Sequence, residues 1–253
     1  MGRGLAVLTL ALTIALPAGA AYTDYIPKYP ETKEEWFGRS FNATSAKIVL
    51  TGFAVSGLAY KGDEGVRDAW VNHQRMHPDT SHVGDLLGTG VPGLLIGLTQ
   101  YQFDRANGEA HLKAWAGAGV WTYALKTVAG RKRPGTSQNR QSWPSGHTST
   151  AFATASSLHF AYGWKVGVPS YIVASGVALS RLADDKHWFS DTLAGAGVGV
   201  WMGYAYAAFT EISPNDRPVS VSQGGLLPPS ASHIQLIPSF GNETFLLNLL
   251  SEF

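Results

Sequence analysis

Six runs of helix length carry dense apolar residues, near 46–60, 86–103, 110–128, 147–163, 166–181 and 188–209, and short polar connections separate most of them. The longer connection at 61–85 has room for a short helix of its own. No strand-length alternation interrupts these runs and no segment repeats at a fixed period. The pattern predicts an all-α fold, a six-helix up-and-down bundle over residues 46–211. Residues 21–45 are polar and aromatic and read as an N-terminal arm. Residues 212–232 are rich in Pro, Ser and Gly and read as a linker, and residues 233–253 read as a short β-hairpin-like tail turning at Gly241 and Asn242.

The first twenty residues follow a different logic. Arg3 precedes an apolar run from Leu5 to Leu16, and Ala18, Gly19 and Ala20 follow. This is the pattern of a cleavable secretory signal, so export to the periplasm or cell envelope is expected. Two runs, Leu86–Phe103 and Thr192–Thr210, lack charge over nearly the length of a membrane span. Against that, His111, Lys113 and Lys126 fall in another run, and the mean hydropathy is only −0.02. An exported protein, soluble or membrane-associated, is favoured over an integral one.

Composition removes some chemistries. Lys and Arg total 19 against 18 Asp and Glu, which gives no electrostatic footprint for nucleic acid. Cys is absent, so no disulfide and no thiolate nucleophile is available. Any catalysis falls to His, Ser, Lys or carboxylates.

Three blocks carry such residues: KTVAGRKRP from Lys126, PSGH from Pro144, and SRLADDKHWFSD from Ser180. His187 and Asp191 are one helical turn apart, so the carboxylate can fix one ring nitrogen and leave the other free. Lys126, Arg133 and Arg181 suit an anion, whereas Arg131 and Lys132 between them read as ordinary surface charge. PSGH opens a helix, whose free N–H groups and positive dipole end also favour an anion. In an up-and-down bundle, Lys126, His147, Arg181 and His187 all fall at the same end.

The ordered pattern K-x6-RP, PSGH and SR-x5-H-x3-D, with every position filled, resembles the signature of the type 2 phosphatidic acid phosphatase and vanadium haloperoxidase superfamily. The resemblance implies a metal-independent phosphatase in which His187 attacks phosphorus, Asp191 orients it and His147 protonates the leaving oxygen. It implies further that Lys126, Arg133, Ser145, Gly146 and Arg181 hold the phosphate. The expected substrate is a phosphorylated small molecule or lipid, with no cofactor. In the haloperoxidase branch the same pocket holds vanadate, so vanadate stands as an inhibitor or, in that alternative, as a cofactor. A further alternative is a non-catalytic membrane-associated binding module, although no signature residue is missing. His73, His77 and His82 cluster in the 61–85 connection, and the first two have the spacing of one helix face, but no third-ligand geometry supports zinc. Trp143 and Trp188 flank the catalytic histidines, as acyl-chain contacts or as walls against water. Asp184 and Asp185 read as solvated loop residues.

Overall fold

In a computed structural model, residues 38–208 are described throughout, together with the backbone of 235–240 and 245–250. The expected signal at 1–20, most of the arm and the linker lie outside the described residues.

The chain divides into two compact units, residues 1–216 and 217–253. In the first, α1 (Ala43–Ala59) is followed by a 3-10 turn, Tyr60–Gly62, and α2 (Asp63–Val71). Then come α3 (Pro78–Gly88), α4 (Val91–Phe103), α5 (Arg105–Ala129), α6 (Gly146–Tyr162), α7 (Trp164–Ala183) and α8 (Phe189–Tyr206). In the second unit, β1 (Gln235–Phe240) pairs antiparallel with β2 (Phe245–Leu250).

The helical class agrees with the sequence, but the six-helix layout needs correction. The 61–85 connection contains α2 and most of α3. The apolar run at 86–103 is not one helix, because Gly90 adopts φ 90° and separates α3 from α4. A left-handed residue ends helical propagation and is accessible to glycine at little cost. Elsewhere the ends follow side-chain chemistry. Asn42 accepts from the Ser45 amide at 2.8 Å to start α1, and Gly130 at φ 54° closes α5.

The core is built around α8. Phe152, Ala155, Tyr171 and Ala174 pack on its Ala196 and Val200, while Ala114, Ala118 and Ala153 meet Trp201, Met202 and Ala205. Nearly every α8 residue is buried, so the run from Thr192 to Tyr206 is apolar because its helix is central. Among the described residues, the helix long and apolar enough to cross a membrane is instead Trp164–Ala183. Small residues let α8 approach its neighbours: a Cβ at Gly197 would lie 2.9 Å from the Gly52 Cα of α1. Gly197→Ala therefore meets backbone rather than a movable side chain. Overpacking of roughly 1–3 kcal/mol is expected to exceed the gain of up to about 1 kcal/mol in helix propensity. Thermal unfolding should show a lower midpoint, and an unchanged or raised one would contradict the close approach.

Candidate active site

His187 is held just before α8, and Asp191 is the third residue of that helix, where its Oδ2 accepts from the Trp188 amide at 2.9 Å. This hydrogen bond fixes the helix start and the carboxylate together. Ser142 Oγ also donates to Oδ2, at 2.5 Å. His187 Nδ1 lies 3.5 Å from the same oxygen, with both side chains buried. That separation is long for a formed hydrogen bond.

Burial pushes the His187 imidazole down to about 4, with Asp191 opposing and Lys126 adding to the shift. For Asp191, burial works against the charge, but the adjacent His187 imidazole, the hydrogen bond from Ser142 and the Arg131 guanidinium outweigh it and hold the carboxyl below its usual value. The result is a neutral imidazole beside a fixed carboxylate, the arrangement of an activated nucleophile.

Arg131 is the main correction to the sequence reading. It is not ordinary surface charge. Its Nη1 donates to Asp191 Oδ1 and to Ser190 Oγ, each at 2.6 Å, and its Nη2 donates to Asp63 Oδ2 at 2.7 Å. The guanidinium carbon lies 4.7 Å from the Tyr60 ring centroid and 5.4 Å from that of Trp188. Asp63 itself takes the Ser190 amide at 2.9 Å, which ties α2 to the start of α8. A cavity of about 520 Å³ adjoins this cluster, lined by Arg131 and Ser190 but by neither motif histidine.

The phosphate-binding candidates converge. Lys126 Nζ donates to the Gln141 and Ser142 carbonyls at 2.6 and 3.2 Å, and burial, helped by Arg133, pushes its ammonium down to about 8. Burial and then Arg181 lower the Arg133 guanidinium, whose Nε is buried without a hydrogen-bond partner. Arg181, 4% exposed, also has a buried Nε without a partner. Gly146 opens α6 beside Lys126, since a Cβ there would lie 3.9 Å from Lys126 Cε. Ser145 is fully buried, its amide donating to the Asp191 carbonyl at 2.9 Å and its Oγ accepting from Thr148 at 3.0 Å. It thus locks α6 to α8.

His147, in the first turn of α6, is half-buried. Burial and Arg181 push it below its ordinary 6.5, and Asp85 opposes them. Asp85, outside all three blocks, places Oδ1 3.1 Å from His147 Nε2 and also accepts from Arg181 Nη1.

Other expectations change. Asp184 pairs with Arg181 at 3.2 Å and accepts from Ser81 Oγ, while Asp185 forms a two-pronged pair with Arg67 at 2.6 and 2.7 Å. Both therefore anchor α2 and α3 rather than solvate a loop. His73 and His77 do not share a helix face, because α2 ends at Val71 and His77 caps α3. Among the described residues no group of three or more His, Asp or Glu is placed to hold a metal. The Trp143 indole donates to Ser56 Oγ at 3.0 Å and the Trp188 indole to the Lys132 carbonyl at 2.9 Å, so each ring is anchored by its own N–H.

Residues 110–213 match the family model of the PAP2 superfamily. A lipid A 1-phosphatase of Porphyromonas gingivalis is 33% identical over 164 residues, 59% of this chain and 35% of that protein, so the chain spans about a third of its relative. Two solved structures are similar in fold. LpxE of Aquifex aeolicus is 20% identical with a TM-score of 0.50, over 56% of this chain and 92% of that one. A transmembrane PAP2 type phosphatidylglycerolphosphate phosphatase of Bacillus subtilis is 18% identical with a TM-score of 0.53, over 64% and 93%. The three motif blocks, from Lys126 to Asp191, all lie inside the segment that matches the PAP2 superfamily model.

Proposed function

We propose that the protein is a phosphatase that hydrolyses phosphomonoesters carried by lipids, through a phosphohistidine at His187. The observation that carries this reading is the buried His187, 3.5 Å from Asp191 and within the electrostatic reach of Lys126 and Arg133. His187 Nε2 attacks phosphorus as the bond to the leaving oxygen breaks, and Asp191 stabilises the imidazolium that forms. Lys126, Arg133, Arg181 and the N–H groups at the start of α6 take the charge on the equatorial oxygens. His147 gives its proton to the leaving oxygen, then takes one from the water that cleaves the N–P bond. No cofactor enters these steps, and vanadate is expected to compete for the same cations.

The lipid A 1-phosphatase relative supports a lipid phosphate as substrate. So does the helix surface. Leu50 and Leu58 on α1, Leu95 on α4 and Val120 and Val128 on α5 are all exposed, supporting membrane association. Arg3 and the apolar run that follows it support export.

The test is a hydrolysis screen of lipid phosphates in detergent against soluble phosphomonoesters, combined with fractionation. Lipid phosphates should be preferred and the protein should pellet with membrane. Preference for soluble esters would remove the lipid assignment, and halide oxidation with vanadate and peroxide, without hydrolysis, would remove the phosphatase. His147→Ala should lower kcat by ~10²- to 10⁴-fold. Because His187 attacks when neutral, kcat/KM should fall below pH about 4. Because His147 donates when protonated, kcat/KM should also fall as pH rises through a value under 6.5. An optimum above pH 8 would contradict the assignment of His147 as the acid, and activity undiminished well below pH 4 would contradict that of His187 as the neutral nucleophile.

A further inference from the structure

The site holds a second Asp–His pair, assembled across the fold rather than along one helix. Asp85 comes from α3, and its Oδ1 lies 3.1 Å from His147 Nε2. The same oxygen accepts from Arg181 Nη1. The helix that delivers it is tightly seated. A Cβ on Gly84 would lie 2.4 Å from Ser180 Cβ, and one on Gly88 would lie 2.7 Å from His147 Cδ2. Ser81, one turn earlier, donates to Asp184. Three successive contacts thus press α3 against α7 and α6, while the Asp85 side chain itself, 43% exposed, is held by its pairs with His147 and Arg181.

We propose that Asp85 is a positioning residue for His147: it accepts the Nε2 proton, so that Nδ1 is the atom that exchanges protons with substrate and water. The inference rests on the phosphatase reading for its catalytic consequence but not for its geometry. A carboxylate on one imidazole nitrogen selects the tautomer and stabilises the imidazolium. In the first step the Nδ1 proton passes to the leaving oxygen as the P–O bond breaks and the His187 Nε2–P bond forms. In the second, water loses a proton to Nδ1 as its oxygen bonds phosphorus and the N–P bond breaks. The Nε2 proton stays with the imidazole throughout. The charged groups facing His147 are Asp85 from α3, Arg181 from α7 and Arg133 from the loop after α5. Asp85 is the one among these that favours the protonated ring.

The experiment compares full-length wild type, Asp85→Asn and Asp85→Glu, using a phosphomonoester that the wild type hydrolyses. Asp85→Asn should lower kcat on the order of 10²-fold with KM little changed. It should also move the high-pH limb of kcat/KM to lower pH, and Asp85→Glu should restore much of both. In a His147→Ala background, Asp85→Asn should cause little further loss. Unchanged kcat, or a lower KM with undiminished kcat, would overturn the proposal, the latter meaning that the carboxylate only competes with phosphate for Arg181. The His147 titration followed by NMR separates this inference from the phosphatase reading. Its midpoint should fall in Asp85→Asn whether or not the wild type hydrolyses any ester, and an unmoved midpoint would overturn the pairing.

Discussion

His187→Asn is expected to lower kcat by about 10⁴-fold or more while the protein still folds. The size of the effect follows from the division of labour at the site. Lys126, Arg133 and Arg181 stabilise charge, His147 moves a proton, and Asp191 acts through the imidazole. None of these replaces the nitrogen that bonds to phosphorus. An amide at position 187 keeps a polar group near Asp191 but has no nucleophilic lone pair comparable to Nε2. The Asp191 hydrogen bonds with Ser142 and the Trp188 amide do not involve His187, so the start of α8 should survive. Steady-state kinetics with thermal unfolding on the same sample checks this. A loss below about tenfold, with the fold intact, would mean that the phosphoryl group goes directly to water.

Arg131→Met is expected to destabilise the protein by about 3–5 kcal/mol. Arg131 bridges Asp63 and Asp191, whose side chains are 4% and 0% exposed. Removing the guanidinium leaves two carboxylates buried with no cation between them, and desolvation opposes each charge. Lysine should recover only part of the loss, since an ammonium cannot span both carboxylates with the geometry of the fork. Denaturant titration gives the free energy directly, and a change below about 1 kcal/mol would show that water reaches the carboxylates and replaces the arginine.

These two residues mark what was legible in the sequence. The His187–Asp191 pair lies one helical turn apart, so a local spacing rule finds it. Lys126, His147 and Arg181 were placed at one end by helix order alone. Arg131 was missed because its partners are Asp63, Ser190 and Asp191, all far along the chain, while its neighbours Gly130 and Lys132 give it a loop's appearance. Asp85 was missed for the same reason, standing one residue before an apolar run that drew attention as a helix. The helices α3 and α4 left a readable mark, since Pro78 and Pro92 sit where proline favours a helix start. The positive φ at Gly90 carries no such mark, and a charge-free run across it reads as continuous. Hydrophobic periodicity was weak for α8 because that helix is buried on all sides, which a one-sided apolar pattern cannot reveal.

The most direct test is to trap the covalent intermediate. His147→Ala should slow cleavage of the N–P bond, so a rapid denaturing quench at alkaline pH during turnover should catch the enzyme in the phosphorylated form. Peptide mass spectrometry should then find one added phosphoryl group on the peptide containing His187, absent from His187→Asn treated identically. A phosphoryl group on any other residue, or the same labelling in His187→Asn, would contradict the assignment of His187 as the nucleophile.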